Sequence, residues 1–392
     1  MVGTGSGQRT GADQGTALPA SPARVPRIGM RADASVAIGG GHVMRSMALA
    51  QALRRRGVDV VLLGRVDGVD WLRTVIAGLG VPLLPGPDSP DGIVEAARAL
   101  RLDAVVIDSH TLDPGCTLAL QGAGIPAAVI VDGATRGQLA DLYIDQDPGG
   151  GEEVEVLQTG AIRVGGMRHA LLREAVSLHA SRSQVQRVSP PRVVCHFGAT
   201  DPTGAAPTAL RAVLDTGLPL SVVVVVAREE LREELEAIAV APEQSVLLVA
   251  PTERLLERVA AADLVVTAAG SSVLEALCLG TAAAVLTVVD SQRYLYDALT
   301  VQGLVVGLGG LGPLREDPSA LARASALLHR LIASSDVREA IAARGPAAVD
   351  GHGCSRVAEL LLGLIRDQGR HDRFTLPAHC RPPMRPGPLL DR

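Results

Sequence analysis

Long unbroken runs of Val, Ile, Leu and Ala alternate in this chain with segments of helical periodicity, and no other feature limits its fold as much. A half-exposed strand alternates polar and apolar residues; stretches such as Ala-Val-Val-Ile at 104–107 and Ala-Ala-Val-Ile-Val at 127–131 do not. Strands of that kind are covered on both faces, the condition of a parallel sheet between layers of helix. The pattern predicts strands at 27–32, 58–64, 104–108, 127–132 and 142–145, with helices at 43–56, 71–79 and 92–101. A polar stretch closed by two prolines, SRSQVQRVSPP at 181–191, reads as a linker. The alternation then restarts. Strands are expected at 192–197, 220–227, 246–249, 264–267, 283–288 and 304–307. Helices are expected at 207–214, 229–238, 253–261, 272–279, 294–302, 318–332, 335–344 and 354–366. The fold class is α/β: two doubly wound, Rossmann-type domains, 25–180 and 192–366, facing a cleft. Ligands of such sheets bind beyond the carboxyl ends of the strands. Residues 1–24 and 367–392 lack periodicity and read as a disordered leader and tail.

Composition removes several classes of function. Aromatic residues make up 2% of the 392 and the net charge is −5, so the chain offers neither stacking platforms nor a basic field for nucleic acid. The run Arg54-Arg55-Arg56 closes the first long helix, where cations suit the dipole, and Gly57 follows as the C′ residue. The five cysteines include no C-x-x-C pair, which argues against a disulfide framework and a zinc knuckle. Cys195 and Cys278 read as small buried hydrophobes. No segment has the length of a membrane span and no signal peptide opens the chain, so residence in the cytoplasm is expected.

Two glycine clusters carry the chemistry. In Ile38-Gly39-Gly40-Gly41-His42, a strand gives way to a helix whose N-terminal N–H groups and dipole face outward. His42 stands at that end, where the field favours a neutral imidazole able to act as a general base. Arg45 lies one turn on, in reach of a phosphate. A plain turn with a polar cap explains the same residues equally well. A nicotinamide site is rejected, because Met44 occupies the place of the third glycine in G-x-G-x-x-G. In the second cluster, Ala269-Gly270-Ser271-Ser272 opens a helix with Glu275 one turn in. Its hydroxyls and N–H groups suit a diphosphate, and the carboxylate suits the two hydroxyls of a ribose. An ordinary capping box, Ser272 with Glu275, is the competing explanation. A serine hydrolase is excluded by the lack of G-x-S-x-G. The D-x-D spacing of Asp145-Gln146-Asp147 reads as a solvated turn, and no metal or cofactor is expected.

The two clusters belong to a longer set of motifs. They include Met30-Arg31-Ala32-Asp33-Ala34-Ser35, Val131-Asp132-Gly133 with Arg136 and Asp141, Gly166-Met167-Arg168-His169-Ala170-Leu171-Leu172-Arg173, and His196-Phe197-Gly198-Ala199-Thr200-Asp201-Pro202. Cys278-Leu279-Gly280 closes the set. Over 27–362 the sequence resembles the UDP-sugar hydrolases of the pseudaminic acid pathway and the spore coat polysaccharide biosynthesis type. That family in turn resembles lipid II-type glycosyltransferases of the GT-B fold. The resemblance implies that His42 activates water, that Gly198 and the Ala269–Ser272 loop hold the diphosphate, and that Glu275 holds the ribose. It also implies that Asp33, Gly41 and Arg45 line the sugar side. The chain departs from the family at Asp108-Ser109-His110, where the family has Asp-His-Tyr, and at Ser291-Gln292, where it has Asn-Gln. Both lie where sugar and acceptor meet, which makes His110, Ser291 and Gln292 candidate substrate contacts.

The expected activity is therefore hydrolysis of a nucleotide-sugar, with UDP favoured, at the anomeric C–O bond. The alternative is GT-B transfer of the sugar to a small-molecule or polysaccharide acceptor. A binding protein without catalysis is the third reading.

Overall fold

The computed structural model describes residues 24–148, 154–157, 159–180, 189–198, 200–252 and 254–367. The expected leader except residue 24, the tail except residue 367, and 181–188 of the linker lie outside them.

The first sheet is built from β1 (Arg27–Ala32), β2 (Asp59–Leu63), β3 (Leu83–Leu84), β4 (Ala104–Asp108), β5 (Ala127–Val131), β6 (Leu142–Asp145), β7 (Val154–Val156) and β8 (Ile162–Gly165). Their order across the sheet is β3-β2-β1-β4-β5-β6-β8-β7, parallel throughout except for the antiparallel edge strand β7. The second sheet holds β9 (Arg192–His196), β10 (Leu220–Val225), β11 (Gln244–Val249), β12 (Leu264–Ala268), β13 (Ala283–Thr287) and β14 (Val306–Gly310). Its order is β11-β10-β9-β12-β13-β14, all parallel. The unbroken apolar runs explain both sheets. Odd and even residues of β2, β4 and β5 enter different cores, one holding Val60, Val106 and Ile130, the other Val61, Val105 and Val129. Short edge strands such as β3 and β7 left too few residues to be legible.

Helix α1 (Gly41–Arg54) buries Val43, Met47, Leu49, Ala50 and Leu53 against this sheet, and Gly57 takes φ +76° just past its end. Leu49 and Leu53 are fully buried, so truncating either to alanine costs about 2–5 kcal/mol. Cys195 and Cys278 are buried and free, as their apolar surroundings predict.

The second domain does not keep the last helix. α2 (Gly353–Asp367) packs back on α1, placing Val357, Ala358, Leu360 and Leu361 in the first-domain core. Its first residue has to be small: a Cβ at Gly353 would lie 2.2 Å from the Ala170 carbonyl oxygen. The sequence boundary at 366 therefore needs correction. An amphipathic face shows that a helix is buried, not which core receives it. As a result the first domain is made of two separated stretches of chain.

Candidate active site at two facing switch points

The chain order of the first sheet reverses at β1, which lies between β2 and β4. Open sheets bind ligands at such a reversal, because neighbouring loops leave in opposite directions and open a crevice. Ala32 and Asp108 are register partners at the carboxyl ends of β1 and β4. His42 rises from the start of α1 into the same crevice. Its Nδ1 lies 2.7 Å from Asp108 Oδ1. Arg45 lies one turn further on and donates to both Asp108 oxygens at 2.6 Å, and to both Asp132 oxygens at 2.6 and 3.1 Å. Asp132 also meets His110 Nε2 at 2.8 Å, and the rings of His42 and His110 stack edge to face at 4.6 Å.

The charges of this cluster set its chemistry. Burial raises the Asp108 carboxyl, but Arg45 and His42 more than offset it and hold it below the ordinary carboxylate range. Asp132, half-buried beside the same guanidinium, is held far below that range. Burial likewise opposes the charge on Arg45, yet the two carboxylates keep its pKa well above the ordinary value. An ionised Asp108 only accepts hydrogen bonds, so His42 Nδ1 must donate to it. The lone pair is then on Nε2, which has no partner among the described residues. That is the arrangement of an oriented imidazole base.

Two expectations change here. Arg45 does not face a phosphate; its guanidinium is buried and fully engaged between two carboxylates. Asp33 does not join the crevice either. Its Oδ1 accepts from the Arg65 N–H at 2.8 Å and pairs with Arg31 at 2.8 Å, on the β2 side of β1. It clamps a loop. Gly39 needs its φ of +84°, whereas a Cβ on Gly41 would meet open space.

The second sheet reverses at β9, between β10 and β12. Here two helices present their N-termini. α3 (Ala205–Leu214) follows β9, and Asp201 fills its end, accepting from Ala205 and Ala206 N–H at 2.8 and 3.0 Å. α4 (Ser271–Cys278) follows β12, with Gly270 as N-cap and no side chain capping it. Val273 N–H donates to the Gly270 carbonyl at 3.1 Å, and the N–H groups and half-buried hydroxyls of Ser271 and Ser272 remain for a ligand. The capping box does not form, because Glu275 is turned to Arg173, whose Nε and Nη2 reach its two oxygens at 3.0 and 2.9 Å. Gln292 Oε1 accepts from Val288 N–H at 2.9 Å, and its amide nitrogen would lie 3.7 Å from a Cβ on Gly270. Gln292 thus lies beside the start of α4, while Ser291 is exposed next to it. Gly198 takes φ +71° at the end of β9; Ala199 lies outside the described residues.

The two crevices face each other. Thr200 Oγ1 donates to the Val36 carbonyl at 3.3 Å, and a Cβ on Gly39 would lie 3.9 Å from the same hydroxyl. Tyr294, opening α5 (Arg293–Val301), reaches across to Gly133, where a Cβ would lie 3.5 Å from its ring. By contrast, the concavity of about 500 Å³ lined by Arg192, Ser221 and Ser245 sits towards the amino ends of its strands, away from this chemistry.

Solved structures share the fold of this chain. Acinetobacter baumannii MurG superposes with a TM-score of 0.62 at 17% identity, over 86% of this chain and 99% of MurG. S. aureus MnaA in its UDP co-structure gives 0.60 at 11% identity, over 87% of this chain and 97% of that one. The spinosyn rhamnosyltransferase SpnG, complexed with thymidine diphosphate, gives 0.58 at 16% identity, over 86% and 100%. The fold is GT-B. No family model and no curated protein matches the sequence. No helix among the described residues is long and apolar enough to cross a membrane, and none of their His, Cys, Asp and Glu side chains group as a metal site.

The sequence had put His42, His110 and the Ala269–Glu275 loop at the site, and the folded chain brings the first two together. It had passed over Asp108, Asp132 and Arg173 as site residues. Asp108 carried one available signal, a carboxylate ending a strand beside the reversal. The reading of Asp145-Gln146-Asp147 as a solvated turn is overturned. All three residues are buried, with Asp145 paired to Arg163 and Gln146 accepting from Leu171 N–H at 3.2 Å.

Proposed function

We propose that this protein transfers a sugar from a nucleoside diphosphate sugar to an acceptor hydroxyl bound in the cleft. The observation that carries the reading is the His42–Asp108 pair, 2.7 Å apart at one switch point and opposite an uncapped helix end at the other. In this reading the diphosphate lies on the first turn of α4, held by backbone N–H and the hydroxyls of Ser271 and Ser272. Glu275 keeps lone pairs beyond the two Arg173 uses, and these accept from the ribose hydroxyls. The acceptor oxygen attacks the anomeric carbon, the C–O bond to the diphosphate breaks, and the acceptor proton passes to His42 Nε2. Asp108 stabilises the imidazolium that forms, and the helix end stabilises the charge growing on the leaving diphosphate. The GT-B neighbours favour this reading, since one is named as a rhamnosyltransferase and was solved with thymidine diphosphate.

Hydrolysis, with water in place of the acceptor, is the second reading. The resemblance of the opening motif to UDP-sugar hydrolases favours it, and the same base serves both. Incubation with UDP-, TDP- and GDP-sugars separates them. Transfer predicts slow nucleotide release in buffer and fast release with an acceptor; hydrolysis predicts fast release and free sugar in buffer alone. Absence of release from every donor, with acceptors present, would sink both.

A further inference from the structure

At the second switch point, the carboxyl ends of β9 and β12 carry two polar side chains into an apolar layer. Val193, Cys195 and Phe197 enter one core of the second domain, and Val194 enters the other. Side chains alternate along a strand, so His196 lies on the side of Val194. Val265 shares the core of Val194, and Thr267 lies two residues on, so it faces the same way. His196 and Thr267 are register partners on adjacent strands, which sets the imidazole beside the hydroxyl. His196 is 2% exposed and Thr267 is fully buried. Neither imidazole nitrogen has a hydrogen-bond partner among the described residues, and Thr267 Oγ1 has none either. Buried polar atoms are ordinarily satisfied, so three together without a partner call for an explanation. The layer they face holds one. Val273, Leu274 and Leu277 of α4 pack in that core, as do Leu172 and Val176 of the interdomain segment. On these two elements stand Glu275 and Arg173, half-buried and joined in their fork at 3.0 and 2.9 Å.

We propose that His196, backed by Thr267, is a positioning residue for ribose recognition: in the nucleotide complex its N–H takes one of the Glu275 lone pairs that Arg173 now holds. The inference rests on the cleft holding a nucleotide-sugar. A carboxylate offers about four lone-pair sites. With one given to Arg173 and one to His196, two remain for the ribose hydroxyls, and the carboxylate is held from two directions instead of one. The imidazole can do this as a neutral ring. Burial pushes it down to about 4 against the charge of Glu275, so near neutrality it has one N–H donor and one acceptor nitrogen. The Thr267 hydroxyl donates to the acceptor nitrogen, which fixes the tautomer. All three buried atoms are then satisfied. A purely structural role would be filled better by an apolar pair of the same shape, which carries no desolvation cost.

The test is calorimetric titration of UDP, GDP and their 2′-deoxy counterparts into wild type, His196→Phe, His196→Gln and Thr267→Val, with thermal melts of each ligand-free protein. The quantity read is the ratio of ribo- to deoxyribonucleotide affinity. In wild type it should be about tenfold for the nucleotide that binds best. His196→Phe should bring it to within about twofold of unity, while His196→Gln, which keeps an N–H donor, should retain most of it. Thr267→Val should give an intermediate ratio. His196→Phe and Thr267→Val should melt at or above wild type, since each removes a buried polar group without a partner. A packing defect would weaken both sugars alike and leave the ratio unchanged. The proposal is overturned if wild type does not distinguish ribose from deoxyribose, or if the ratio survives in both His196→Phe and Thr267→Val. Failure of every nucleoside diphosphate to bind wild type would overturn the assignment of the cleft itself, and this inference with it.

Discussion

The two switch points solve one problem by opposite means. The first is made of side chains: His42, Arg45, Asp108, Asp132 and His110 form a chain of ion pairs closed on itself before any ligand arrives. The second is made mostly of backbone, with an uncapped helix end, two hydroxyls and glycine, and its formal charge is confined to the Arg173–Glu275 fork and the Asp201 carboxylate at the neighbouring helix end. Charge of the first kind orients a base and balances a proton. Open N–H groups of the second kind bind an anion without bringing a competing carboxylate. Asp201 shows the contrast within the second sheet, since its carboxylate occupies the helix end beside the one left open. Damage at the first point should therefore cost both stability and turnover, and damage at the second mainly binding.

The largest effect belongs to Asp108. Removing it leaves Arg45 buried with half its partners, so Asp108→Ala should destabilise the fold by about 3–5 kcal/mol in denaturant melts. Asp108→Asn, closer in shape, should retain the fold and reduce turnover by about 10²- to 10⁴-fold, because Nδ1 loses its acceptor and the imidazolium its counter-charge. A fully active, fully stable Asp108→Ala would break the comparison at its root.

Next comes the charged exception in the second region. Glu275→Gln removes one arm of the Arg173 fork and one ribose acceptor, so nucleotide affinity should weaken by about 10-fold with turnover at saturation little changed. The paired change Ser271→Ala and Ser272→Ala should weaken diphosphate binding by roughly 5- to 10-fold. It should leave the melting curve within about 0.5 kcal/mol of wild type, since neither hydroxyl caps α4. A large loss of stability from these serines would mean that the helix start is structural after all.

The smallest effect is on stability against pH. The Asp147 carboxyl is raised in the folded state, so the fold binds more protons there than the unfolded chain does between about pH 4 and 7. The stability this group contributes is present at low pH and is lost as pH rises towards 7. Asp147→Asn lacks that term, so its melting temperature relative to wild type should rise by about 2–6 °C from pH 4.5 to 7.5. No change in that difference would place Asp147 in contact with water.

What could be read from the sequence divides along the same line. The backbone site was legible, because Gly270-Ser271-Ser272 after an apolar run states its own local structure. So was the start of α1, where three glycines and His42 mark a helix end. The side-chain site was not, since its partners lie far apart in the chain and the pairing depends on β1 and β4 being neighbours. His42 is 66 residues from Asp108 and Arg45 is 87 from Asp132. Asp147 was misread because a Pro-Gly-rich sequence after a strand looks solvated, and only the packed loops of two domains bury it. The return of α2 to the first core was hidden for the same reason.

The central claim is that one ligand spans both regions, with its diphosphate at α4 and its reacting carbon at His42. The most direct measurement is nucleotide release and nucleoside diphosphate affinity, on the same preparation, for wild type and His42→Ala. The account predicts a fall of about 10² or more in release, with diphosphate affinity changed less than about threefold. Equal release from both proteins, or loss of diphosphate binding along with the imidazole, would contradict it.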